Sequence, residues 1–266
     1  MSLKLITWNI NSVRLRIGLV EKLMEEQKPD VLCLQETKCP NDQFPTKAFK
    51  KMGYEHMAIN GQKGYHGVAI ISRLPLKDIE MREYCEMQDT RHVSACFEAG
   101  GKTLRVHNFY VPAGGDEPNV ETNPKFDHKM KFLEEMKALH ADKGNVPAIL
   151  VGDLNIAPYE HDVWDTKKLK RVVSHTPIER ETLLDVAEKG EWVDLMRQDV
   201  PMSEKLYTWW SYRAKDWDAA DKGRRLDHVW SSKELVPAFT GVEVMRDARG
   251  WEKPSDHAPV VANFKF

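Results

Sequence analysis

The stretch Ala148-Ile149-Leu150-Val151-Gly152-Asp153-Leu154-Asn155 decides the fold, because four apolar residues run straight into a carboxylate and a carboxamide two positions apart. The apolar run reads as a buried strand, and residues two apart along extended chain point the same way. Gly152 lets the backbone turn sharply where the polar side chains emerge. Taken alone, Gly-Asp-x-Asn also suits an Asx-turn that merely caps a strand.

The pattern recurs. Leu3 to Thr7 leads into Trp8-Asn9-Ile10-Asn11, and Val31-Leu32-Cys33-Leu34 leads into Gln35-Glu36-Thr37. Leu226-Asp227-His228 lies within the stretch Arg225 to Trp230, and Ser255-Asp256-His257 comes just before the run Val260 to Phe266. Asp and Asn avoid strand interiors, so strands ending in such groups imply one shared polar edge.

With 266 residues, 41% of them hydrophobic, the chain can bury one large core, and residues 1–266 are expected to form one domain. No apolar run approaches the roughly 20 residues of a membrane span. Met1-Ser2-Leu3-Lys4-Leu5 lacks the regions of a signal peptide, so a soluble cytoplasmic monomer without membrane contact is expected. Cys33, Cys39, Cys85 and Cys96 have no Cys-x-x-Cys spacing and read as reduced core or near-core thiols. A net charge of -2 argues against a protein that coats nucleic acid, yet Lys167 to Arg171 and Lys222 to Arg225 are local basic clusters. Each suits either phosphate contact or plain solvated surface.

Helical periodicity covers Val13 to Gln27, Phe126 to His140 and Glu179 to Lys189. Further strands are expected at Val68 to Ser72, Val93 to Phe97, Leu104 to Phe109 and Val242 to Met245, with Gly100-Gly101 turning a hairpin. The class is α/β. Two mixed sheets packed face to face, with helices on their outer faces, would bury these runs and gather their ends at one rim. Pro112 to Pro124 and Arg213 to Gly223 are the longest loop-like stretches, suited to recognition or to simple surface insertion.

Oxygen donors such as Glu36, Asp256, Asn9 and Asn11 suit a hard divalent cation, Mg²⁺ or Mn²⁺, rather than zinc. Asp227 could fix the tautomer of His257 and leave its other nitrogen for a phosphoryl oxygen. Asp153 could take a proton from water, and Asn155 could donate to an attacking or non-bridging oxygen. Tyr110, at the end of Asn108-Phe109-Tyr110, could contact a phosphate or a leaving group, or be a half-buried aromatic and nothing more. Phosphodiester hydrolysis needs an oriented water, charge neutralisation in the transition state and help for the departing oxygen, and this inventory supplies all three.

Taken in order, Trp8 to Asn11, Leu34 to Lys38, Gly61 to Ala69, Tyr110 to Pro112, Gly152 to Asn155, Trp209 to Arg213, Arg225 to Asp227 and Lys253 to Pro259 resemble the exonuclease III branch of the exonuclease/endonuclease/phosphatase (DNase I-like) superfamily. That branch comprises abasic-site endonucleases of DNA base-excision repair, and the resemblance runs nearly end to end. It implies a four-layered α/β sandwich of two packed mixed sheets flanked by helices. It also implies incision 5′ to abasic sites in duplex DNA to leave a 3′-hydroxyl, with 3′→5′ exonuclease and 3′-end-cleaning activity. Glu36 would bind the metal with Asn9 and Asp256 nearby, and Asp153, Asn155 and His257 would serve any second cation. Asp153 would activate water, Asn155 stabilise the transition state, His257 oriented by Asp227 grip the phosphate, and Tyr110 assist there or at the leaving group.

DNA contacts are expected from Lys63, Tyr65 and His66 on one loop, from Arg91, and from Trp209, Trp210 and Tyr212 at a pocket that excludes intact nucleotides. Adjacent tryptophans in extended chain face opposite ways, so one of the pair is expected in the core. Two positions depart from the family pattern. Ala113-Gly114-Gly115 stands where members carry an amide side chain, and Asn11 stands where some carry Asp. The same rim would also serve an inositol polyphosphate phosphatase, a sphingomyelinase or a poly(A) nuclease. Gln62-Lys63-Gly64 and Trp209 to Arg213 speak against these, and the presence of Glu36, Asp153 and His257 speaks against a non-catalytic DNA-binding protein.

Overall fold

Period-two alternation along Ser2–Asn9 sets the layering, since Leu3 and Leu5 enter one apolar cluster while Ile6 and Trp8 enter another on the opposite face. A strand apolar on both faces must be covered on both. The computed structural model describes residues 1–141 and 146–266. Its strands are β1 (Ser2–Asn9), β2 (Val31–Gln35), β3 (His56–Asn60), β4 (Val68–Ser72), β5 (Lys77–Glu80), β6 (His92–Ala99), β7 (Lys102–Tyr110), β8 (Ala148–Asp153), β9 (Val193–Asp194), β10 (Trp209–Trp210), β11 (Gly223–Arg224), β12 (Asp227–Ser231), β13 (Phe239–Val244) and β14 (Val260–Lys265). The principal helices are α1 (Ile17–Gln27), α2 (Pro124–Met136) and α3 (Pro177–Lys189).

One sheet has the order β13-β14-β1-β2-β4-β3 and the other β5-β6-β7-β8-β12-β9. Their inner faces meet in a core that includes Leu5, Val31 and Ile70 from the first with Val93, Val106 and Val151 from the second. Val20, Leu23 and Met24 of α1 cover the first sheet's outer face, and Met130, Leu133, Leu183 and Val186 of α2 and α3 cover the second's. The four-layered sandwich of mixed sheets expected from the sequence is the fold observed.

Helix ends follow local chemistry. Asn123 caps α2 ahead of Pro124, and Thr176 with Glu179 forms a capping box ahead of α3. The periodicity from Val13 overshoots the start of α1, because Val13 to Arg16 form turns before the helix begins at Ile17. Among the described residues no helix is long and apolar enough to cross a membrane.

Buried amides lock the two sheets together near one rim. Asn108 Nδ2 of β7 donates to the carbonyls of Leu34 and Ala69 at 3.0 Å, and its Oδ1 accepts from Gln35 Nε2 at 2.7 Å. Such a satisfied network in a low-dielectric interior fixes register between the sheets one residue short of Glu36 and two short of Tyr110.

Candidate active site

Strand direction gathers the site. Parallel β1 and β2 bring Asn9 and Glu36 to one edge, and parallel β7 and β8 bring Tyr110 and Asp153 to the same edge. Asp227 begins β12, antiparallel to β8 and directly paired with Asp153, while His257 lies just before β14, antiparallel to β1. The shared rim therefore combines C-terminal ends of parallel strands with N-terminal ends of antiparallel ones. Gly152 is required here, because at its φ of +134° a Cβ would lie 2.0 Å from the Phe109 carbonyl oxygen.

A continuous hydrogen-bonded chain crosses between the sheets. Asn9 Nδ2 donates to Glu36 Oε1 at 2.9 Å and to Asp153 Oδ2 at 2.8 Å, spending both its protons on two carboxylates. His257 Nε2 lies 3.6 Å from Asp153 Oδ2, and its Nδ1 lies 2.8 Å from Asp227 Oδ2. Thr208 Oγ1 accepts from the backbone N–H groups of Leu226 and Asp227, and Ser255 Oγ accepts from the N–H of His257. Asn155, left-handed at φ +54°, donates its N–H to Asp153 Oδ1 at 2.9 Å and its carboxamide to the Val111 carbonyl at 2.9 Å.

Burial opposes the charge on His257, but Asp227 and then Asp153 overcome it and raise the imidazole to about 10, so it is an imidazolium at neutral pH. Burial raises Asp153 to about 7; the His257 charge pulls it down, and the Asp227 charge pushes it up. Burial also pushes Glu36 up, yet Lys38, 2.8 Å away, with the hydrogen bonds from Asn9 and Lys38, brings it below its ordinary value. Tyr110 is held well above the usual phenol range by burial and by the nearby Glu36 and Asp153 carboxylates, so it stays a neutral donor.

Glu36, Asp153 and Asp256 line a cleft of about 580 Å³, with Asp227 behind His257. Asp116 lines the same cleft, and positive charge comes from Lys38 beside Glu36, from the His257 imidazolium and from Arg213, Lys222 and Arg224 on its walls. The oxygen donors gathered at Glu36, Asn9 and Asp256 fit a hard divalent cation. Asp153, Asp227 and His257 bring three donor atoms within 4.8 Å of one another. An imidazolium committed to Asp227 and facing Asp153 has no lone pair to offer, which favours the Glu36 and Asp256 side of the cleft. Asp256 there accepts from Trp209 Nε1 at 2.9 Å and from Asn11 Nδ2 at 3.3 Å, and Lys38 bonds Asn11 Oδ1 at 2.6 Å.

The expected DNA-facing residues divide. Lys63 and Tyr65 are exposed, and Tyr212 is half exposed with its hydroxyl donating to the Pro254 carbonyl. His66 is half buried, and burial with the Arg91 charge lowers it to about 4, so it is neutral. Arg91 departs from the expected duplex contact: only 7% exposed, it pairs with Asp89 and stacks 4.9 Å from the Tyr110 ring centroid, bracing that tyrosine from behind. Trp209 lines the cleft, whereas Trp210 is the core member of the pair, at 3% exposure. The basic run Lys222 to Arg225 splits likewise, with Lys222 and Arg224 on the cleft wall and Arg225 buried against Asp162 and Asp194.

Sequence reading gave no role to Lys38, Lys129 or Trp164. Lys38 sits two residues beyond Glu36, the one signal for its pairing, while Trp164 reaches the cleft from a loop without periodicity.

Residues 6–257 match the model of the Endonuclease/Exonuclease/phosphatase family. Exodeoxyribonuclease III of Haemophilus influenzae is 34% identical, over 99% of this chain and 100% of its own. An AP endonuclease from Archaeoglobus fulgidus superposes with a TM-score of 0.89 at 33% identity, covering 99% of this chain and 100% of that one. A 3′ phosphatase from Neisseria, bound to a product DNA hairpin, gives 0.90 at 32% identity with the same coverage. Matched by the family model over residues 6–257 and by a relative 34% identical over 99% of the chain, this protein belongs to the endonuclease/exonuclease/phosphatase family.

Proposed function

We propose that this protein is a metal-dependent DNA-repair nuclease that hydrolyses the phosphodiester 5′ to abasic sites in duplex DNA, and that it also trims and cleans 3′ ends. The carrying observation is the bonded chain Glu36–Asn9–Asp153, with the Asp227-bound His257 facing Asp153. Relatives named as an exodeoxyribonuclease, an AP endonuclease and a 3′ phosphatase support the same substrate class. Four free thiols suit a reducing, intracellular setting.

Asp153, poised near neutrality, takes the proton of the attacking water. The His257 imidazolium faces the same carboxylate and offers fixed positive charge to a phosphoryl oxygen, held by Asp227. Asn155 has one carboxamide proton beyond its Val111 bond and directs it to the transition state. Tyr110, kept neutral, donates to the phosphate or the departing oxygen. Glu36, with Asn9 and Asp256 beside it, would hold Mg²⁺ or Mn²⁺, which supplies Lewis-acid neutralisation of phosphate charge. Trp209 and Leu226 wall a cleft into which a sugar without a base turns at lower cost than an intact nucleotide.

The test is incision of duplexes that differ only in one abasic analogue, run beside blunt and recessed 3′ ends with Mg²⁺ or with EDTA. Cutting 5′ to the analogue, lost in EDTA, is expected. Rapid hydrolysis of inositol phosphates with none of these duplexes cut would overturn the reading.

A further inference from the structure

Lys129 is wholly buried on α2, an unusual place for an ammonium, and it spends all three protons on fixed acceptors. Its Nζ donates to Glu179 Oε1 at 2.5 Å, to the Asn155 carbonyl at 2.9 Å and to the Ala113 carbonyl at 3.3 Å. Glu179 is itself saturated, accepting from the N–H groups of Ser174 and Thr176 and from Thr176 Oγ1 at 2.6 Å. One ion pair thus joins α2, the start of α3, the turn that carries Asn155 and the segment Ala113-Gly114-Gly115. Gly114, at φ +88°, packs on the lysine stem, where a Cβ would come within 2.9 Å of Lys129 Cδ.

A buried ion pair is weak evidence for stability, because desolvation of both partners offsets their attraction. Its aim is informative. Asn155 is a non-glycine residue in left-handed conformation, a state that persists only when its surroundings over-determine it. Three anchors do so here: Asp153 holds its N–H, Val111 its carboxamide, and Lys129 its carbonyl.

We propose that Lys129, braced by Glu179, is a positioning residue that holds the Asn155 carboxamide and the Ala113–Gly115 wall in one fixed arrangement around the reacting phosphate. In this chain the cation secures, from behind and through backbone carbonyls, a wall segment that lacks an amide side chain of its own. The proposal rests on the hydrolytic reading above and goes beyond it by giving Asn155 a support remote from the cleft.

The experiment removes both charges together, Lys129→Met with Glu179→Leu, so that no unpaired ion is left in the interior. Circular dichroism and a thermal melt establish that the double variant folds. Incision of an abasic duplex is then measured in the parent, the double variant, Asn155→Ala, and the combination of all three changes. Expected are a fall in kcat of about 10²-fold with KM within about twofold of the parent, and almost no further fall when the pair is removed from Asn155→Ala. A folded double variant with parental kcat would overturn the proposal, as would a full second loss in the Asn155→Ala background. If the charge-free variant does not fold, Lys129→Arg replaces it: a tenfold or smaller loss that vanishes in the Asn155→Ala background supports the proposal, and a loss of equal size in both backgrounds overturns it. A parent inactive on every DNA substrate would instead sink the functional reading, and the two failures are distinct.

Discussion

His257 Nδ1 lies 2.8 Å from Asp227 Oδ2, a carboxylate with no exposed surface. This contact makes the imidazole a cation at neutral pH and fixes which nitrogen faces the cleft.

A bell-shaped pH profile of kcat/KM follows. Asp153 must be ionised to accept a proton, so activity rises through about pH 7; His257 must stay charged, so activity falls toward about pH 10. Asp227→Asn removes the largest charge that raises His257, and the alkaline limb should move down by at least about one pH unit. An unmoved limb in that variant would take His257 out of this role. The raised His257 pKa also adds stability that is complete below about 6.5 and is lost as pH climbs through about 10.

Asp153→Asn should cost activity. The carboxyl is raised from 3.8 to about 7, so its contribution to stability is complete below 3.8 and is lost as pH climbs through about 7. A neutral carboxamide cannot take the proton of the attacking water, so at pH 8 incision should slow about 10²–10⁴-fold. Incision at the parental rate in this variant would remove Asp153 from that role.

Lys38 Nζ lies 2.8 Å from Glu36 Oε2, so a divalent cation held by Glu36 would have to compete with it. Glu36→Ala should raise the Mg²⁺ concentration for half-maximal activity about tenfold or more, whereas Lys38→Met should lower it. Titration calorimetry with Mg²⁺ alone reads both, and equal affinity in parent and Glu36→Ala would remove Glu36 as the metal ligand.

Asp162 is wholly buried between Arg197 and Arg225, whose nitrogens lie 2.5 and 2.9 Å from its two oxygens. Asp162→Ala leaves two interior guanidiniums short of a partner and should cost about 3–5 kcal/mol in urea unfolding. A loss below about 1 kcal/mol would mean that Asp194 alone suffices for Arg225.

Sequence by itself determined the layers and the chemical inventory. Apolar runs such as Ala148–Val151 and the two-sided alternation of Leu3 to Trp8 specify covered sheets, because each buried face must meet another element. Glu36, Asp153, Asp227 and His257 stand out as candidates because polar groups recur beside apolar runs along the chain, and the fold brings these four to one rim. Tertiary structure alone decided what pairs with what. Arg91 reads as a surface cation and lies behind Tyr110; Arg225 sits in a basic run and lies in the interior; Lys129 follows a helical pattern as any solvated lysine would, yet ends against Asn155 and Glu179. Periodicity is local, set by a few residues of backbone geometry, whereas the partner of a buried charge comes from another strand or helix distant in the chain. Only the packed fold brings that partner within reach and excludes the water that would otherwise take its place.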